Sequence, residues 1–151
     1  MLLALIAGGC SRSVDVKQAL TVTDVHTGWY DAGIINGQNK LVPSVSLKLQ
    51  NKDTGQVGGV QLNAIFHRVG ETDGWGEHYV QAIDRDGIGP GASTQAIVLR
   101  SNLGYTGQQS RLEMLRNAQF VDARVDIFAK QGRGGWVKLA EYMIDRQLLT
   151  E

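Results

Sequence analysis

Apolar and polar side chains alternate one by one along much of this chain. In residues 44–50, Val45, Leu47 and Leu49 fall on one side, and Ser44, Ser46, Lys48 and Gln50 on the other. A period of two marks a strand with one buried face. Asn51, Asp53 and Gly55 then supply turn chemistry: Asn and Asp bond their own backbone, and Gly takes positive φ. The alternation resumes over 60–69, where Val60, Leu62, Ala64 and Phe66 share a face. Residues 70–76 read as a second turn and 78–83 as a third strand. Centring that hairpin on Asp73 pairs Phe66 with Val80 and Ala64 with Ala82, so apolar meets apolar across the ladder. The same register sets His67 opposite Tyr79 and Arg68 opposite His78. The two histidines then lie on opposite faces, which disfavours a two-histidine metal site.

The flanking segments extend the pattern. Residues 19–25 are rich in β-branched residues and read as the first strand. Residues 26–40 read as irregular, with Gly28, Gly33 and Gly37 around Trp29-Tyr30, a pair that either covers the open end of a sandwich or lines a ligand surface. Asp84, Asp86 and Gly87 fit a turn far better than a calcium loop, because Ala82 stands where a carboxylate is needed. Residues 93–100 carry apolar side chains on both faces, as in a strand buried on both sides or a short crossover. Ser110 and Glu113 form a capping box opening a short helix to about Asn117, with Leu112 and Leu115 inward. Residues 121–129 are the cleanest strand, and 136–147 return from the Gly132–Gly135 turn. Centred on Arg133, this hairpin pairs Ala129 with Val137 but Val125 with Glu141, a mismatch that a bulge near Ala140 removes. The sum is an all-β, immunoglobulin-like antiparallel sandwich of about seven strands with one short helix.

Composition narrows the function classes. Lys+Arg and Asp+Glu are 15 each, so the formal charge is zero and nucleic-acid binding by a basic surface is disfavoured. The one Cys allows no internal disulfide. Residues 1–9 form a short apolar run ending in Ala7-Gly8-Gly9, immediately before Cys10. That run is far shorter than the roughly 20 residues a membrane-spanning helix needs. It resembles the end of a bacterial lipoprotein signal peptide, in which small residues precede a cysteine that is acylated and becomes the mature N-terminus. The resemblance implies a membrane anchor through acylated Cys10. Residues 10–18 would then be the lipidated Cys and its tether, and 19–149 the sandwich domain. The location implied is the periplasmic side of the bacterial cell envelope, with Ser11 after the Cys favouring the outer membrane.

A second resemblance covers residues 45–99. The segments Leu47-Lys48-Leu49-Gln50-Asn51, Ala64-Ile65-Phe66-His67 and Pro90-Gly91-Ala92-Ser93 are similar to FxLYD-type immunoglobulin-like domains of bacterial envelope proteins. In that family a strand ends in Asn, a turn follows, the next strand carries an aromatic, and a Pro-Gly-Ser-like step leads onward. His67-Arg68 stands where Tyr-Asp is usual. The resemblance implies a non-catalytic binding or structural module.

Catalytic signatures are missing from the sequence. It holds no nucleophile elbow, phosphate loop or dinucleotide fingerprint, and Gly132-Arg133-Gly134-Gly135 lies between strands rather than before a helix. His26, His67 and His78 show no metal-ligand spacing. No catalytic residue, metal or cofactor is assigned. The candidate binding residues are Trp75, in an aromatic loop, and Phe128, Trp136 and Tyr142, expected on one face of the last hairpin beside Arg124 and Lys138 unless the helix or first strand covers them. The function expected is a lipid-anchored interaction or structural module that contacts other envelope proteins. A periplasmic binder of a small apolar or glycan ligand, and an accessory lipoprotein of a secretion machine, are the alternatives. Metabolic labelling with an alkyne fatty acid is expected to mark the wild-type chain and not Cys10→Ala; equal labelling of both refutes acylation at Cys10.

Overall fold

In the computed structural model, which describes residues 14–149, the fold opens with a helical turn, α1 (Val16–Ala19), capped by Asp15, whose carboxylate accepts from the Lys17 N–H at 3.1 Å. The strands are β1 (Leu20–Ile35), β2 (Gln38–Asn51), β3 (Val60–Arg68), β4 (Gly76–Ile83), β5 (Ile97–Arg100) and β6 (Tyr105–Gly107). Helix α2 (Arg111–Arg116) follows, then β7 (Ala123–Gln131), β8 (Val137–Met143) and β9 (Leu148–Leu149). One sheet runs β5-β2-β1-β9 with β6 also on β2; the other runs β4-β3-β7-β8. All pairings are antiparallel except β1 with β9. The chain is an all-β sandwich. Beyond the seven strands expected, β6 and β9 add two short ones, and α1 adds a helical turn inside the expected tether, where Val16 is buried.

The alternating residues build the core. Val45, Leu47 and Leu49 of the first sheet and Val60, Leu62, Ala64, Phe66, Val125, Ile127 and Ala129 of the second are fully buried in one cluster. At about 25 cal/mol per Å² of apolar surface removed from water, such side chains are the main favourable contribution to folding. Asn51 is buried too, but satisfied: its side-chain N–H groups donate to the Gly55 and Ile88 carbonyls, and its side-chain oxygen accepts from the Asp53 N–H.

Several expectations are corrected. Residues 26–40 are not irregular but a long hairpin turning at Asn36-Gly37, with Ile35 opposite Gln38. Both turn residues have positive φ, 51° and 76°, as a two-residue type I′ turn requires. Bulges after Thr23 and Asp31 break the register of β1, so its buried positions change from even (Leu20) to odd (Thr27, Trp29). In the β3–β4 hairpin Phe66 lies opposite Gly76 rather than Val80. The shift is by an even number of residues, so the side chains from Gly76 to Gln81 keep their faces; past a bulge at Gln61, Ile83 lies opposite Val60 and is buried. The loop stays off the ladder: the Trp75 N–H donates to the Phe66 carbonyl, and the Asp73 carbonyl meets the His67 ring. The strand at 93–100 is shorter than expected and buried on one face only, with Leu99 buried and Ala96 and Val98 exposed. In α2 the capping box forms as expected, but Leu112 is exposed and Met114 is buried beside Leu115. Positions three and four after Arg111 share its face, and Arg111 is tied to Asp31 of β1.

The last hairpin carries the expected bulge. Phe128 lies opposite Lys138 but Ile127 opposite Ala140, leaving Leu139 as the extra residue. Val125 then faces Tyr142, and Glu141 moves to the outer face opposite Asp126.

Candidate functional site

The outer face of the β4-β3-β7-β8 sheet gathers most of the expected binding residues. Its rungs read Tyr79-Asn63-Phe128-Lys138 and Glu77-Ile65-Asp126-Glu141, with His67 opposite Arg124 beyond them. Helix α2 contacts β2 of the other sheet, and Tyr79, Trp136 and Met143 are 54%, 43% and 54% exposed. Neighbouring strands lie about 4.8 Å apart, and Tyr79 and Trp136 sit on or beside opposite edge strands. Their ring centroids are nonetheless 6.0 Å apart, edge to face, so the two rings lean toward each other across the sheet. The Lys130 ammonium stands 5.8 Å from the Trp136 ring centre.

A charged network lies beneath the aromatics. Asp126 is only 7% exposed, and two cations and an imidazole surround it: Arg124 Nη1 at 3.1 Å, Lys138 Nζ at 3.2 Å and His67 Nε2 at 3.1 Å. Lys138 also reaches Glu141 at 2.7 Å. Glu141 first, and Asp126 second, hold the Lys138 ammonium above the ordinary lysine range. His67 Nδ1 lies 3.1 Å from the Asp73 carbonyl. Both imidazole nitrogens therefore face oxygens, and neither is left to act on a bound molecule. Among the described residues no group of three or more His, Cys, Asp and Glu is placed to hold a metal ion.

The network borders a groove of about 460 Å³ at the end of the sheet, lined by Ile65, His67, Gly74, Trp75, Gly76, Glu77 and Asn102. Trp75 is half-buried, with Tyr105 and Trp29 packed on it at 5.0 and 6.4 Å between ring centres and the Arg68 guanidinium 5.5 Å from its ring. Those partners fix the indole from the interior while it also forms a groove wall. Asn102 of the β5–β6 connection closes the far side by accepting from the Glu77 N–H at 3.0 Å. Gly76 has no room for a side chain there, because a Cβ would overlap Ser101 Oγ.

The structure thus places Phe128 and Trp136 on one outer face and Trp75 in the groove at its end. Tyr142 is a correction: the Leu139 bulge turns it inward, where it packs against the core and burial pushes its phenol above the usual range. Trp29 is fully buried, edge to face with Phe120 at 4.5 Å, so it covers the sandwich end rather than lining a ligand surface. Cys10 lies outside the described residues. The sequence reasoning missed Tyr79, Met143, Glu77 and Asn102. Tyr79 was legible as an outward position of β4; Asn102 had no signal, because it belongs to a loop.

No family model matches the chain, and no curated protein matches it. Among solved structures, it is similar to one described as "Putative ApaA Protein from Bordetella pertussis", with 15% identity and a TM-score of 0.44 over 84% of this chain and 93% of that one. It is similar also to a structural-genomics target, SoR45, with 13% identity and a TM-score of 0.35 over 86% and 85%.

Asp126→Asn is expected to cost about 1.5–3 kcal/mol, because the one buried carboxylate that gathers Arg124, Lys138 and His67 loses its charge-assisted hydrogen bonds. Lys138→Gln, at the solvent-screened rim of the network, should cost far less. Urea denaturation compares them, and equal small losses would show the network to be an ordinary surface cluster.

Proposed function

We propose that this protein is a non-catalytic, lipid-anchored module of the bacterial cell envelope that binds another envelope protein through the outer face of the β4-β3-β7-β8 sheet. The observation that carries the reading is the convergence of exposed Tyr79, Trp136 and Met143 with Arg124 on one uncovered sheet face. Tyr, Trp, Met and Arg are the residues enriched where proteins dock. The mutually neutralised charges beneath them favour a folded protein partner over a polyanion. The likeness to FxLYD-type envelope domains points the same way.

The fold also gives an orientation. The Val14 N–H donates to Gln131 Oε1 at 2.9 Å, so the chain enters the domain beside the β7–β8 turn. The Trp75 groove is at the other end of β3, nine residues away, or about 30 Å at 3.3 Å per residue. An anchor at Cys10 would hold the first end near the membrane and present the groove away from it. No helix among the described residues is long and apolar enough to cross a membrane. The alternative of a small-ligand binder draws support from the groove volume, which falls within the usual 300–1,000 Å³ of ligand sites.

A photo-crosslinking amino acid at Tyr79, in the full lipidated chain, is expected to give an adduct of defined mass. The adduct should fall at least severalfold with Trp136→Ala and be absent with the crosslinker at Val98, which is exposed on the other sheet. Equal adducts from both positions, or none from Tyr79, would remove the docking face.

A further inference from the structure

We propose that the groove beside Trp75 receives one basic side chain, Arg or Lys, from the partner protein. This inference rests on the docking function proposed above and names the chemistry of its partner. Three observations carry it. First, the indole forms a wall of the groove and is immobilised by Tyr105 and Trp29, so a cation stacking there orders nothing further in this protein. Second, the groove's one ionised group without a cation is acidic. Among the described residues no Lys, Arg or His pairs with the exposed Glu77 carboxylate, whose side-chain contact is Asn63 Nδ2 at 3.5 Å. The other charges nearby are matched: Arg68 pairs with Glu71 at 3.0 Å, and Arg124 with Asp126 at 3.1 Å. Third, the loop above the groove adds Asp73, an exposed acid, and the base beside it, Arg68, 5.5 Å from the Trp75 ring centre, is paired with Glu71 of the same loop.

A guanidinium or ammonium on a flexible apolar stem fits this arrangement. Its stem would lie along Ile65 and Trp75, and its head would reach Glu77. The Trp75 ring, which already holds the Arg68 guanidinium 5.5 Å from its centre, attracts cations through its quadrupole, and the Glu77 carboxylate adds a charge-assisted hydrogen bond. A saccharide fits less well, because it needs several uncommitted hydrogen-bonding groups. Both nitrogens of His67 already face oxygens, and Asn102 Oδ1 accepts from the Glu77 N–H.

The test is an NMR titration of the full-length protein in detergent micelles, following the Trp75 indole N–H. The probes are N-acetyl-arginine amide, its neutral counterpart N-acetyl-glutamine amide, and methyl glucoside. The arginine amide is expected to give a saturable shift and the other two none. Glu77→Gln should weaken that binding about two- to fivefold, and Val98→Ala, on the exposed face of the other sheet, should leave it unchanged. Binding of the glutamine amide or the glucoside equal to that of arginine, or an unchanged affinity in Glu77→Gln, overturns the proposal. No arginine binding alongside an intact Tyr79 adduct removes this inference and leaves the docking function standing; loss of both removes both.

Discussion

Burial of the inner face of β3 is the constraint on which the rest depends. Val60, Leu62, Ala64 and Phe66 are wholly excluded from water, and β3 lies between β4 and β7 in its sheet. Because those four residues must point inward, Gln61, Asn63, Ile65 and His67 must point outward. The outward set then fixes what β7 can offer beside it: Asp126 opposite Ile65 and Phe128 opposite Asn63. A single-residue slip would place His67 in the apolar core and Phe66 in water, which no local interaction could offset. The candidate surface follows from where the core must be.

Which faces are buried was legible because alternation is a local signal. Val45, Leu47 and Leu49 need no partner to declare themselves, and neither do Val125, Ile127 and Ala129. Register is a weaker signal. Pairing Phe66 with Val80 or with Gly76 leaves the same faces buried, so alternation cannot choose between them; the loop at 69–75 chooses through the Trp75 and Asp73 backbone. Bulges defeat alternation outright. Asp24, at φ 50°, lies where β1 changes phase, and this hid a strand of 16 residues. Asn36-Gly37 was the available signal for that hairpin. On β8, the predicted bulge was present, and its consequence was that Tyr142 had to leave the outer face.

The candidate site was readable in part for the same reason. Phe128 is outward by parity, and Trp136, just before β8, joins the same face. That this face stays open follows from α2, whose Met114 and Leu115 are buried and which packs against the first sheet instead. The groove depends on Asn102 and Ser101, from a loop distant in sequence that crosses the end of β4, and no periodicity encodes that approach. The buried Asp126 network was equally hidden, since its members alternate as ordinary polar positions do. Its geometry holds the charges of Arg124, Lys138 and Asp126 against one another.

The most direct measurement is thiol accessibility in intact envelopes against the purified protein, using two single variants. Gln81→Cys lies on the outer face of β4, and Val98→Cys on the exposed face of the other sheet. If the second sheet docks a partner, maleimide should label the Gln81→Cys variant severalfold more slowly in envelopes than after purification, while the Val98→Cys variant reacts at the same rate in both. Equal protection of the two positions, or no protection of the thiol on β4, would contradict docking through this face.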